Sequence, residues 1–327
     1  MNQSKQKILC LLKKENKSFW NLLGNLSLSR KELIEELNFL HKEKLVETKN
    51  YLISLTEKGI KETENLLVPI EWNKEYEKEL LEEFLKATEN RPKALAEFDQ
   101  GIMRSKDSVN RTIIMGKNFD VDGKNILIIG DDDLVCIALA LTKRANKIIV
   151  LEIDKRLNDF INVFAEKNSL PLKALTWSAE EDLLPEFRKQ FDVFLSDPVE
   201  TIEGIKLFLG RGMSSLKGID SVFYFGLTRI DSSAKKWSKI QKMIFDSGFI
   251  FTDIIKDQAF YPCGQFQDFH KENKFSKTTA EFPLKEKAEE TYFRSNFLRC
   301  LAVKEIILPV KGSVKLNERM YWDEEIL

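Results

Sequence analysis

The sequence predicts an α/β protein: a doubly wound, mostly parallel sheet over residues 119–305, preceded by a small winged-helix-like unit over residues 1–67. Three observations predict it. Candidate strands at 125–129, 147–152, 173–177, 191–196 and 221–226 alternate with helical stretches, and such alternation builds a parallel sheet covered on both faces. The strand Ile126-Leu-Ile-Ile129 is apolar throughout, as a buried central strand is. It runs into Gly130-Asp131-Asp132-Asp133-Leu134, placing three carboxylates in the turn that lies under the ligand of a doubly wound sheet.

Taken in order, the chain opens with the apolar run Ile8-Leu-Cys-Leu-Leu12, a short Phe19-Trp-Asn-Leu-Leu23 and a third helix carrying Leu33, Leu37 and Leu40 at helical spacing. Ser29 followed by Glu32 predicts a capping box at the start of that helix. Two short strands within 45–55, turning at Lys49-Asn50, complete the winged-helix pattern. Across the third helix Arg30, Lys31, Lys42 and Lys44 are balanced by Glu32, Glu35, Glu36 and Glu43, which is poor equipment for neutralising phosphates. The unit is therefore expected to serve structure or dimerisation rather than nucleic-acid binding, and the protein to be a homodimer.

Residues 68–118 read as a helical linker, with a charged amphipathic helix at 71–86 ended by Arg91-Pro92 and a second helix at 105–115. The sheet continues at 249–256 and 297–303, while the polar stretch 260–294 carries no clear pattern. Residues 306–327 form a tail containing Tyr321-Trp-Asp-Glu-Glu325, which is either a solvated end or a flap that closes over a polycation.

Composition removes several classes of function. Lys and Arg number 51 against 52 Asp and Glu, so no global charge draws the chain to nucleic acid or an anionic membrane. Four scattered cysteines and two histidines suggest no metal cluster. No signal peptide and no run of about 18 apolar residues is present, and a cytoplasmic protein with free thiols and no membrane partner is expected.

The acidic turn carries the chemistry. Three aspartates cancel the helix N-terminal dipole on which phosphate-binding loops rely, so NAD is excluded and a cationic ligand is favoured. A sulfonium nucleoside fits. S-adenosylmethionine brings a carboxylate that these aspartates repel, whereas its decarboxylated form adds only an ammonium, so the loop favours an aminopropyl donor over a methyl donor. Glu152, ending the second strand, stands where such sheets hold ribose hydroxyls, and Asp154 fits a helix cap. Asp197-Pro198, with Glu200 close behind, adds carboxylates at the same sheet edge and resembles the Asn/Asp-Pro-Pro-aromatic motif by which amino methyltransferases hold an amine. Together these groups suit an SN2 transfer from sulfonium to amine, in which a buried aspartate among like charges acts as base.

Several segments carry a resemblance to the branched-chain polyamine synthases, the N(4)-bis(aminopropyl)spermidine synthases. They are Arg91-Pro92, Phe98-Asp99-Gln100, Gly130-Asp131-Asp132-Asp133-Leu134, Asp197-Pro198, the Leu207-to-Gly212 run, Leu216-Lys-Gly218, Tyr224-Phe-Gly226 and the Lys236-to-Gln241 run. The resemblance spans most of the chain, and the Gly-Asp-Asp-Asp turn is its most specific element. It implies a Rossmann-like, class I methyltransferase-like catalytic domain behind a winged-helix-like domain. It also implies decarboxylated S-adenosylmethionine as co-substrate with no separate cofactor or metal, a polyamine such as spermidine as acceptor, and methylthioadenosine as by-product.

Carried onto this sequence, the resemblance puts Asp131, Asp132 and Asp133 at the donor and the reacting amine, and of these Asp133 is expected to be the base. Gly130, Asp131, Asp132, Glu152 and Glu181 are then expected at the donor, and Asp197, Glu200, Asp99 and Gln100 at the acceptor. Two positions depart from the pattern. Val199 replaces a second proline, and Ser178 stands where an acid near the adenine is expected, with Glu180, Glu181 or Asp182 as substitutes. Two other readings are an S-adenosylmethionine-dependent amine methyltransferase and a non-enzymatic, polyamine-sensing DNA-binding regulator.

Overall fold

The computed structural model describes residues 3–98, 100–262, 293–315, 317–323 and 325. The chain divides into two compact units, Met1–Trp72 and Asn73–Leu327. The first contains α1 (Gln3–Lys14), β1 (Lys17–Ser18), α2 (Phe19–Asn25), α3 (Arg30–Lys42), β2 (Val46–Lys49), β3 (Leu52–Leu55) and α4 (Glu57–Glu62). Its strands form an antiparallel sheet in the order β1-β3-β2. The Ser29 hydroxyl accepts from the Glu32 N–H while the Glu32 carboxylate accepts from the Ser29 N–H, so the expected capping box is formed. Ile8, Leu9, Leu22, Leu33 and Leu40 are the fully buried centre of this unit. The β2–β3 turn sits one residue beyond the expected place, with φ of 49° at Asn50 and 62° at Tyr51, because a two-residue hairpin loop that matches strand twist needs both central residues left-handed.

The second unit runs α5 (Lys74–Thr88), α6 (Ser105–Lys117), β4 (Asn125–Ile129), α7 (Val135–Leu141), β5 (Lys147–Glu152), α8 (Lys155–Lys167) and β6 (Leu172–Thr176). It continues with β7 (Val193–Ser196), α9 (Ile202–Ser215), β8 (Val222–Thr228), α10 (Ala234–Asp246), β9 (Phe249–Phe260) and β10 (Arg294–Ala302). The seven-stranded sheet has the order β6-β5-β4-β7-β8-β10-β9, with β4 to β8 parallel and β10 antiparallel to both neighbours. From β4 the chain builds outward to β6 and then returns to place β7 on the other side of β4. The crevice at the carboxyl ends of β4 and β7 is therefore the switch point where ligands of open α/β sheets bind.

Period-two burial explains how the sheet is covered. On one face Leu127, Ile129, Ile149, Leu151, Phe194, Phe223 and Phe225 pack with Ile205, Leu209 and Met213 of α9 and Ile240 and Ile244 of α10. Fully burying each such side chain contributes about 1.5–3 kcal/mol before entropy is counted. The alternating residues Ile126, Ile128, Ile148 and Val150 are equally buried on the opposite face.

Two segments expected as linker and tail are built into this unit instead. Helix α6 buries Val109, Arg111, Ile113 and Met115, and its Asp107 accepts from the Phe260 N–H at the end of β9 at 3.0 Å. The tail is tied down by the Thr201 hydroxyl donating to the Met320 carbonyl at 2.9 Å and by Lys236 pairing with Asp323 at 2.8 Å. Both carry enough buried polar partners that peeling them away would strand charges and donors. Of the cysteines, Cys136 and Cys300 are buried thiols and Cys10 is half-buried, while Cys263 lies outside the described residues. Among the described residues no helix is long and apolar enough to cross a membrane, and no cluster of His, Cys, Asp or Glu could hold a metal ion.

Candidate active site

The turn after β4 is shaped by two left-handed residues, Gly130 at φ 70° and Leu134 at φ 56°, which bracket the three aspartates and send their side chains in different directions. Asp131 turns back into the fold. Its Oδ1 accepts from the Val135 N–H at 2.8 Å and its Oδ2 from the Cys136 N–H at 2.9 Å, so it caps α7. That consumes the helix donors a phosphate would need. Burial pushes its carboxyl up to about 7, against the pull of these hydrogen bonds.

Asp132 and Asp133 turn the other way, toward the segment before α6. The Gly101 N–H donates to Asp132 Oδ2 at 2.9 Å and the Met103 N–H to Asp133 Oδ1 at 2.7 Å, while Arg91 donates to the Asp132 carbonyl. Burial, then the carboxylates of Asp133, Glu152 and Asp197, push Asp132 well above the usual carboxylate range. Burial and Asp197 push Asp133 up to about 7, with Arg111, the Met103 N–H and Arg91 acting in the opposite sense. Two such neighbours release their protons as a pair.

Asp197, just past β7, faces these aspartates across the crevice. Gly130, Asp131, Asp132, Asp133, Arg111 and Asp197 line a small pocket together with Ile128, Val135 and Leu195. The Arg111 Nη1 donates to Asp197 Oδ2 at 2.5 Å, and the Tyr261 hydroxyl lies 3.4 Å from the same oxygen. Burial alone would lower the affinity of Arg111 for its proton, but Asp197, Tyr261 and Asp133 more than offset it and keep the guanidinium charged. Tyr261 is raised well above its ordinary value by burial and by the two carboxylates.

Most other expected site residues have hydrogen-bond partners within the fold. Asp131 lines the pocket, but both of its oxygens accept from the first N–H groups of α7. Glu152 braces the turn from the end of β5, accepting from the Asp131 N–H at 3.0 Å and the Asp154 N–H at 2.9 Å, with burial raising its carboxyl. Gln100 accepts from the Leu95 N–H and donates to Asp154, stapling its own loop rather than facing the pocket. Glu200 is committed too: it accepts from the Thr228 N–H at 2.7 Å, the Thr228 hydroxyl at 2.6 Å and the Ser232 hydroxyl at 3.1 Å. Burial raises it to about 8. Glu181 is exposed on the turn after β6 and is not part of the pocket lining. Asp99 lies outside the described residues.

Sequence reasoning gave no site role to Arg111, Tyr261 or Gly226, the last named only within the Tyr224-Phe-Gly226 segment. Two signals were there to be read. Arg111 interrupts the buried stripe Ser108, Arg111, Thr112, Met115 of α6, and a charge at such a position needs a partner. Gly226 interrupts the apolar strand Val222–Thr228, and glycine inside a strand marks a close approach.

A seven-stranded sheet in this order, with β10 running antiparallel between β8 and β9 and a carboxylate-lined crevice at the switch point, defines a class I methyltransferase-like catalytic unit. The chain belongs to the branched-chain polyamine synthase family, residues 79–327 matching the branched-chain polyamine synthase A C-terminal domain. It is 34% identical over 249 residues to an N(4)-bis(aminopropyl)spermidine synthase of Methanocaldococcus jannaschii, covering 76% of this chain and 69% of that one. A protein of the same name from Thermococcus kodakarensis is 32% identical over 251 residues, with the same coverage of 76% and 69%. The fold is shared with the branched-chain polyamine synthase of Thermus thermophilus, crystallised with N4-aminopropylspermidine and 5'-methylthioadenosine. The TM-score is 0.67 at 23% identity, over 98% of this chain and 92% of that one.

Proposed function

We propose that this protein is an aminopropyltransferase that moves the aminopropyl group of decarboxylated S-adenosylmethionine to an amine of a polyamine such as spermidine, giving a branched polyamine and methylthioadenosine. The observation that carries this reading is the pocket in which Asp132, Asp133 and Asp197 converge with one buried cation, Arg111. A polyamine nitrogen is mostly protonated near neutral pH and must shed one proton before it attacks. Asp133, raised to about 7, accepts it. The freed lone pair then attacks the methylene carbon next to sulfur. The carbon–sulfur bond breaks, its electron pair stays on sulfur, and a neutral thioether leaves. Holding nitrogen and carbon in line is worth up to ~7–11 kcal/mol of the barrier in well-oriented systems. Each Glu152 oxygen keeps a second lone pair with which to hold a ribose hydroxyl.

The donor enters as a co-substrate, and the described groups supply the chemistry without a separate cofactor. We read the N-terminal unit as a winged helix serving assembly of a cytoplasmic homodimer rather than nucleic-acid binding, on the zero charge balance around α3.

Incubation with spermidine and either sulfonium donor tests the reading. Methylthioadenosine and amines heavier by aminopropyl units are expected with the decarboxylated donor; S-adenosylhomocysteine and a methylated amine would install the methyltransferase reading instead. Because Asp131 is spent on α7, discrimination between donors falls to Asp132 and Asp133. The decarboxylated donor should bind at least ~10-fold more tightly than S-adenosylmethionine, a difference of ~1.4 kcal/mol, and Asp132→Asn should narrow the gap. Equal affinities in calorimetry would remove donor selection from the acidic turn.

The reaction should also have an acid limb. A base works only when ionised, so with Asp133 raised to about 7 the transfer rate should climb as pH rises through that value and then level off. A limb near 4 in the pH profile would show that an ordinary carboxylate does the work.

A further inference from the structure

We infer that Arg111 is a positioning residue for the acceptor: it clamps the Asp197 carboxylate between its guanidinium and the bare backbone of Gly226, so that Asp197 meets the incoming ammonium in one orientation. This rests on the aminopropyl-transfer reading above. The clamp is built from four elements. Arg111, on α6, donates from Nε to Gln258 of β9 at 2.9 Å, from Nη1 to Asp197 at 2.5 Å and from Nη2 to Ser295 of β10 at 3.3 Å. Its guanidinium carbon also lies 4.8 Å from the centre of the Phe297 ring. With three donors engaged and a ring beneath it, the planar fork cannot turn without losing hydrogen bonds in a buried site.

Asp197 is pinned from the other side by β8. A methyl group at Gly226 would fall 1.8 Å from Asp197 Oδ1 and 3.1 Å from Arg111 Nη2, so only glycine lets the carboxylate settle against the strand. The pair is asymmetric in a way that a purely stabilising ion pair need not be. Side-chain exposure is 2% for Arg111 and 23% for Asp197, so the cation is sealed and the carboxylate looks into the pocket.

The charge of Arg111 also reaches the base. Asp133 is faced by Asp132 on its own turn, by Asp197 after β7 and by Tyr261 after β9, with Arg111 on α6 and Arg91 opposing them. Loss of Arg111 would leave Arg91 against two carboxylates, which favours the protonated form of Asp133 and moves the acid limb to higher pH.

The test is a double-mutant cycle on Arg111→Gln and Asp197→Asn, with Arg111→Lys as the variant that keeps the charge and loses the fork. Methylthioadenosine affinity, spermidine affinity, acceptor KM and the pH profile of transfer are read for each. Spermidine affinity and acceptor KM should worsen roughly tenfold or more in Arg111→Gln, as expected for losing a charge-assisted hydrogen bond, while methylthioadenosine binding holds within about twofold. Arg111→Lys should keep the acid limb in place, and Arg111→Gln should raise it. The double variant should bind spermidine no worse than Asp197→Asn alone, because the two residues act as one unit. Additive losses, or unchanged acceptor affinity and pH limb in Arg111→Gln, would make Arg111 a structural residue only. Should Arg111→Gln fail to fold, the double variant leaves no unpaired buried charge, and the cycle is closed with Arg111→Lys. A wild-type protein that forms no methylthioadenosine from spermidine and the decarboxylated donor refutes the transfer reading, whereas the spermidine titrations still decide the role of Arg111.

Discussion

Asp133→Asn is expected to cut aminopropyl transfer by ~10²–10⁴-fold while leaving methylthioadenosine affinity close to that of the unaltered protein. The amide keeps the size of the side chain and an oxygen to accept the Met103 N–H, now at 2.7 Å, but it cannot take the ammonium proton. The acid limb near pH 7 should vanish with it. Single-turnover kinetics at saturating donor separate this from a binding defect. If the variant turns over at the original rate, the role of base moves to Asp132 or Asp197, which line the same pocket.

The largest effect on stability is expected from Arg299→Leu. In β10 this guanidinium donates from Nε to Asp120 at 2.7 Å and to the Tyr224 hydroxyl at 3.0 Å, and from Nη1 to Thr252 at 2.8 Å. Tyr224 donates to Asp120 at 2.6 Å, so the network joins β8, β9 and β10 to the turn after α6. Asp120 is fully buried, and taking away its cation leaves a carboxylate with no way to reach water. Breaking such a pair from one side costs about 3–5 kcal/mol, which for a unit of this size lowers Tm on the order of 10 °C. Replacing Asp120 by leucine as well should recover much of the loss, since no charge then remains buried. Denaturant melts that show a loss under ~1 kcal/mol in Arg299→Leu would mean that Asp120 finds other partners.

Local pattern made much of this legible before any coordinates. Continuous apolar runs locate β4 and β5 to the residue, and Ser29 with Glu32 marks the start of α3, because strand burial and helix capping depend on neighbours in sequence. The Gly130-to-Leu134 turn was conspicuous for the same reason: five consecutive residues carry both the left-handed geometry and the charge. Boundaries were less legible. Strand β9 extends to Phe260 because Asp107 of α6 and the antiparallel pairing with β10 hold its last residues, and neither partner is close in sequence.

What the sequence by itself determined is the alternating strand–helix order, the acidic turn at the switch point, and the prospect of a cationic ligand there. The tertiary structure decided how six carboxylates near that edge divide their work. Asp131 lines the pocket but spends its oxygens capping a helix, Glu152 braces the turn, Glu200 is absorbed by Thr228 and Ser232, and Asp132, Asp133 and Asp197 line the pocket beside Asp131. It also brought in Arg111 and Gly226, 86 and 29 positions away from Asp197 in the chain, to orient that carboxylate. A carboxylate's type can be read from one letter. Whether it binds a ligand depends on which donors the fold has already aimed at its lone pairs, and those donors come from distant segments.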